Sequence, residues 1–213
     1  MKLFVALTFA LTSVSSFSQP FWDTTFVVDN VEFTVFCGMS DSGSYAYLAS
    51  SEGDTLIISG AAGGIDIFNF DEDGYVDITF SYLGNYRVAD LYLYDKGSKS
   101  YRRVVGFEEV SDAQRFSEKR GYYYDYQTRG CADFNWKSTL FYIEDFRVIS
   151  VAEIEFTGCP QSEKERKLEV YSAPKSDERI LLESENLPED MFNNKWDFIR
   201  DYWKENWRSF VEE

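Results

Sequence analysis

Short apolar segments with alternating side-chain type recur along most of this chain, and they restrict it to a β architecture. Val31, Phe33 and Val35 alternate with Glu32 and Thr34, after a turn signal at Asp29-Asn30. Strand-like runs follow at 45–49, 55–59, 65–68, 75–82, 87–94 and 101–107, with 95–100 as a hairpin connection between the last two. Further runs lie at 122–127, 134–143, 147–156 and 168–171. Turn signals every roughly 8–12 residues fit a mainly β domain: an antiparallel meander forming a sandwich, a barrel or a propeller-like array rather than βαβ units.

The C-terminus breaks this period. Pro188-Glu189-Asp190 reads as a helix start, with acids in the first turn where the dipole favours them. Phe192, Trp196, Ile199, Trp203, Trp207 and Phe210 then follow at spacings of 4, 3, 4, 4 and 3, one face of an amphipathic helix. The expected organisation is a signal peptide at 1–18, a β-rich domain at 19–160, a polar connection at 161–186 and a C-terminal helix at 187–213.

The signal rests on Lys2, the apolar stretch 3–11, and small residues from 13 to 18, with Ser16 and Ser18 at the −3 and −1 positions of a cleavage site. The apolar stretch is shorter than the roughly 20 residues a bilayer requires, and no later segment spans a membrane. A periplasmic or extracellular protein is expected, and that compartment permits disulfides. Three cysteines are present: Cys37, Cys131 and Cys159. If 134–143 and 147–156 pair about a turn at 144–146, residues equidistant from Asp145 face each other. Cys131 then meets Cys159 at the open end of the hairpin, within reach of a disulfide. Cys37 is left as a buried core thiol.

Charge and composition exclude several functions. The 37 acidic against 21 basic side chains give a net charge of −16, which repels nucleic acid. There is no histidine, hence no Ser-His-Asp or Cys-His nucleophile and no imidazole metal site. The aromatic content of 18% belongs to a folded chain, not a solvated tail.

One segment carries site chemistry. In Asn69-Phe70-Asp71-Glu72-Asp73-Gly74-Tyr75-Val76-Asp77, side-chain oxygens recur at alternate positions: Asn69, Asp71, Asp73 and Asp77. Gly74 stands sixth, where a calcium loop turns sharply, and Tyr75 stands seventh, where a backbone carbonyl coordinates. Calcium takes roughly 6–8 oxygen ligands, and three carboxylates offset its dehydration. Ca2+ is therefore the expected cofactor, with Asn69, Asp71, Asp73, Tyr75 and Asp77 as ligands. The loop is not an EF-hand: position twelve is Phe80 rather than Glu, and a strand follows. Asp66, Asp90 and Asp95 are further acids that could add a ligand.

This loop, followed by Leu91-Tyr92-Leu93-Tyr94-Asp95 and an aromatic-rich C-terminal half, resembles periplasmic calcium-loop proteins of Gram-negative bacteria with an FDGYPDL-like signature. Some members of that group inhibit lysozyme-like peptidoglycan hydrolases, as immunity proteins against secreted effectors. The chain departs from them at Asn69, at Val76 in place of proline, and in its C-terminal helix. Ser42-Gly43-Ser44-Tyr45 is similar to the Ser-Gly-x-Tyr loop that periplasmic lysozyme inhibitors insert into the hydrolase cleft. The resemblance implies that Ser42, Gly43 and Tyr45 bind a partner, a basic cell-wall hydrolase toward which an acidic protein is steered. A binding protein, not an enzyme, is the expected class. A calcium-stabilised structural or adhesion module of the cell envelope also fits. A carboxylate-based glycosidase fits less well, because no motif selects a catalytic pair among the acids.

Overall fold

The computed structural model describes residues 20–40, 43–53, 55–59, 64–82, 84, 86–159, 166–172, 179–186 and 194–211. The expected signal peptide, Ser42, Pro188-Glu189-Asp190 and Phe192 lie outside them.

The chain is mainly β, with antiparallel sheets and a short C-terminal helix. It is not a closed barrel. The first sheet runs in sequence order through β1 (Pro20–Val28), β2 (Val31–Ser40), β3 (Gly43–Ser50) and β4 (Thr55–Ser59). The second is the meander β5 (Gly64–Phe68), β6 (Asp77–Tyr82), β7 (Val88–Asp95) and β8 (Ser100–Arg103). After a 3-10 turn at Phe107–Glu109 come the short strands β9 (Gln114–Arg115), β10 (Tyr122–Tyr124) and β11 (Gln127–Thr128). The long β12 (Trp136–Glu144) and β13 (Arg147–Thr157) follow, then β14 (Lys167–Ser172) and β15 (Ile180–Asn186). These form the third sheet in the order β15-β14-β13-β12-β10-β9, with β11 also on β12.

Alternation along each strand sends side chains to opposite faces, and the sheets stack sandwich-fashion on those faces. Val31, Phe33, Val35 and Leu48 of the first sheet meet Ile78, Phe80, Tyr92 and Tyr94 of the second. On its other face β7 turns Ala89, Leu91 and Leu93 toward Phe107, Tyr123 and Phe141. Six consecutive residues of β7 are therefore buried, which requires cover on both faces. Two backbone bonds knit the second and third sheets: the Val105 amide donates to Phe146 O at 2.9 Å, and the Val148 amide to Val105 O at 2.9 Å.

The far face of the third sheet receives helix α1 (Lys195–Asn206) and the short α2 (Arg208–Val211). Ile199, Trp203 and Trp207 pack on Trp136, Leu140, Ile154 and Leu168, and Trp203 Nε1 donates to Ser138 Oγ at 2.9 Å. Trp196, expected on the same buried face, is 54% exposed; it sits one turn short of this core and lies against Tyr126 instead. The segment expected as a polar connection, 161–186, contributes β14 and β15.

The turn between β12 and β13 is the two-residue Asp145-Phe146, both with positive φ (49° and 60°), as a primed hairpin turn requires. A bulge at Leu140/Phe141 then shifts the register, so Trp136 pairs with Phe156. Cys131 is not a strand residue. It stands in a turn with positive φ at Cys131, Ala132 and Asp133, which brings its Cα within 5.7 Å of that of Cys159. The Cys131–Cys159 disulfide forms. Cys37 is buried in the core between the first two sheets, where desolvation raises its thiol pKa.

Candidate metal centre

The acidic loop joins β5 to β6, which pair up to Phe68 and Asp77. Its fold follows from three local devices. The Asp73 amide donates to Asp71 Oδ1 at 3.1 Å, and the Tyr75 amide to Asp73 Oδ1 at 2.8 Å, so each Asp closes a turn on the backbone two residues on. Gly74, at φ 96°, supplies a left-handed step that a side chain would strain. Phe70 points inward and stacks on Tyr123 at 4.6 Å between ring centroids, anchoring the loop between the second and third sheets.

Asp77 is only 1% exposed. Its Oδ2 accepts the Phe70 amide at 2.7 Å, and its Oδ1 accepts the Tyr94 amide at 3.1 Å. One carboxylate thus ties the start of the loop to its end and to β7. Burial pushes its pKa up to about 7, the two amides oppose that shift, and the nearby charges of Asp71 and Asp73 reinforce it. Burial also raises Asp71, and the Asp73 charge adds to the rise.

The environment supplies cations of its own. Lys96 Nζ lies 3.2 Å from Asp73 Oδ2 and 4.2 Å from the centre of the Tyr75 ring. The contact with Asp73 raises the Lys96 pKa. Arg115, from β9, donates to the carbonyls of Asn69 and Phe70 and pairs with Glu72 at 3.0 Å. Arg120 donates to Glu72 O at 2.6 Å. The sequence pattern of the loop did not point to these three residues. Lys96 could have been found from its place directly after Asp95, but nothing local marks Arg115 or Arg120.

The structure therefore brings Asp71 and Asp73 together beside a cavity of about 380 Å3, with Asp95 and Lys96 on the same wall. It places Asp77 behind them as the closure of the loop. Asn69 Oδ1 is buried and, among the described residues, has no hydrogen-bond partner. Among the described residues, no three His, Cys, Asp or Glu side chains are gathered closely enough to hold a metal. Of the additional acids, Asp90 is taken by Arg103 and Tyr82, Asp66 by Arg87 and Thr79, and Asp95 by Ser98 and Arg102.

The expected partner loop is described only in part. Gly43, at φ 120°, begins β3 opposite Ser40. Tyr45 crosses over Gly38, where a Cβ would stand 2.8 Å from its hydroxyl. It shares the outer face of the first sheet with Phe36 and Tyr47, each 6.2 Å away between ring centroids.

No family model and no curated protein matches the sequence. Among solved structures, the fold is similar to a Xanthomonas type IV secretion system related protein, at 11% identity and a TM-score of 0.49, over 76% of this chain and 93% of that one. A more distant likeness, at 12% identity and a TM-score of 0.30, is to the acylaminoacyl peptidase of Pyrococcus horikoshii, over 82% of this chain and 34% of that one. Among the described residues, no helix is long and apolar enough to cross a membrane.

Proposed function

We propose that this is a secreted or periplasmic calcium-binding protein that acts by binding, with a lysozyme-like peptidoglycan hydrolase as its partner. The observation that carries the calcium reading is the unbalanced oxygen chemistry of the loop. Asn69 Oδ1 is an acceptor without a donor, and the Asp71 and Asp77 carboxyls both have raised pKa values partly because acids crowd one another. A divalent cation relieves both costs. Asn69, Asp71, Asp73, the Tyr75 carbonyl and Asp77 are the oxygens that would hold it, once the Lys96 ammonium gives up Asp73. Calcium supplies rigidity and local charge here, not reaction chemistry.

The partner reading is supported by the net charge of −16, which attracts a basic hydrolase and speeds encounter at low salt. Isothermal titration with calcium chloride tests the first reading: the parent protein should bind and Asp73→Asn should bind more weakly. Equal binding by the two would defeat the loop assignment. Lysozyme turbidity assays with and without EGTA test the second. Inhibition that is lost in EGTA is the expected result, and no inhibition of several lysozymes would remove it.

A further inference from the structure

A second cavity, of about 600 Å3, lies away from the acidic loop. Its size falls within the roughly 300–1,000 Å3 usual for small-molecule sites. It is built where four distant stretches of chain converge: the start of β7, the turn after the 3-10 helix, the β11 region and the first turn of α1. Two aromatic side chains that belong to no core line it, Trp196 at 54% exposure and Tyr86 at 57%. Trp196 is held in place by Tyr126, 4.2 Å away between ring centroids. The Tyr126 hydroxyl in turn feels Tyr86, Asp112 and Asp133 electrostatically, so these groups are near neighbours.

The polar lining is partly committed and partly open. Lys137 is paired with Glu153 at 3.1 Å, Arg87 with Asp66 at 3.3 Å, and Gln127 bonds to Asp125 and to the Glu109 carbonyl. Among the described residues, the half-buried Asp112 carboxylate and the exposed Glu109 carboxylate accept no side-chain or backbone hydrogen bond, and the Arg129 side chain pairs with no acid. Burial without a donor raises the Asp112 pKa, with Arg87 opposing the shift. The cleft thus combines exposed aromatic faces, open acceptors at Asp112 and Glu109, and one open multiple donor at Arg129.

We propose that this cleft is a carbohydrate-binding site for a short oligosaccharide. A pyranose ring has an apolar C–H face that suits Trp196 and Tyr86, and hydroxyls at its edge that both donate and accept. Asp112 would accept hydrogen bonds from sugar hydroxyls, and Arg129 would donate to ring or hydroxyl oxygens. Asp112 and Arg129 offset each other in charge, Glu109 adds one acid at the exposed rim, and the pair of aromatic faces favours a polar ligand with an apolar face over a basic side chain from a partner protein. The site is separate from the acidic loop and does not depend on calcium.

The test is titration of the full chain with chitotriose, cellotriose, xylotriose and, as the competing occupant, a hexa-arginine peptide. Calorimetry and tryptophan fluorescence provide the readouts. At least one trisaccharide should bind and shift the emission. Trp196→Ala should weaken that binding about tenfold and Asp112→Asn a few-fold, since stacked aromatics dominate such sites. Trp196 and Tyr86 are surface side chains, so circular dichroism should show both alanine variants folded. The proposal falls if no trisaccharide binds at about 10 mM, an affinity too weak to count. It falls equally if Trp196→Ala and Tyr86→Ala leave the affinity unchanged, or if only hexa-arginine binds.

Discussion

At the scale of single residues, the acidic loop divides its labour between holding itself closed and offering charge. Asp77 does the first. Its alanine variant would leave the buried Phe70 and Tyr94 amides without acceptors, at a cost of about 2–4 kcal/mol. Asp73 is exposed and makes one short-range turn bond and one ion pair, so Asp73→Ala should change stability little in EGTA. Urea unfolding of both variants in EGTA measures the contrast; equal losses would mean that the loop closes some other way. Lys96→Met removes the ammonium that competes for Asp73, and calorimetry should then find calcium bound severalfold more tightly than by the parent. The turn-forming pattern of the loop was legible because Asp71 and Asp73 each act on the backbone two residues on and Gly74 supplies its own positive φ, all local effects. The roles of Lys96, Arg115 and Arg120 were not, because they reach the loop from the β7–β8 turn, from β9 and from the turn after β9.

Asp125 offers a pH-dependent test remote from the loop. It is fully buried, accepts the Thr139 amide at 2.6 Å and bonds to Gln127, and desolvation pushes its pKa up to about 6. The folded state therefore holds this proton more tightly than the unfolded chain does. The stability it contributes is complete below the ordinary carboxylate range, near pH 4, and is lost as pH rises through about 6. Asp125→Asn cannot titrate. The stability of the parent relative to this variant should fall by about 2 kcal/mol between pH 4 and pH 7, read from urea midpoints. A constant difference would show that Asp125 keeps an ordinary pKa.

At the scale of elements, the β12–β13 hairpin shows how a local rule and a long-range constraint combine. Pairing about Asp145 predicted the Cys131–Cys159 contact, although the turn is centred between Asp145 and Phe146 and the Leu140/Phe141 bulge shifts the ladder again. The turn at 131–133 absorbs the discrepancy, since Cys131 lies outside the strand and is free to reach back. The bridge closes a segment with a sequence separation of 28. By loop entropy the Cys131→Ala/Cys159→Ala double variant should lose roughly 3–4 kcal/mol. Denaturant unfolding checks this, and a thiol assay on the unfolded, unreduced parent should find one thiol rather than three.

Other elements were legible in proportion to how local their signals are. The 55–59 run became β4 without change, and Asp29-Asn30 adopted the positive φ values of a primed turn. β15 was hidden because its sequence, ILLESEN, lacks period two, and it sits at the sheet edge with every residue exposed. Trp196 fitted the helical stripe, yet which turn of a helix meets the core depends on where the sheet ends, and no periodicity encodes that.

At the scale of the whole molecule, three stacked sheets and a helix share one uncompensated charge. Most ion pairs lie on the surface and contribute little each, whereas the excess of 16 acids repels over the whole surface. The two effects respond to salt with opposite sign. Screening weakens attractive pairs and so lowers stability, but it weakens net repulsion and so raises it. At about 10 mM salt the Debye length is about 30 Å and the repulsion acts across much of the surface; at physiological ionic strength it falls to about 8 Å, which screens that long-range repulsion more than it weakens pairs in contact. Thermal melts in EGTA, with sodium chloride raised from about 10 to 150 mM, should therefore show the midpoint rising by a few degrees. Calcium added at low salt should raise it further than sodium at equal ionic strength, because one ion held between Asp71 and Asp73 acts at contact distance rather than through a diffuse atmosphere. A midpoint that falls with salt would mean that paired charges, among them Lys137–Glu153 and Arg103–Asp90, outweigh the net field. Equal shifts with calcium and sodium would place the acidic loop among ordinary surface turns.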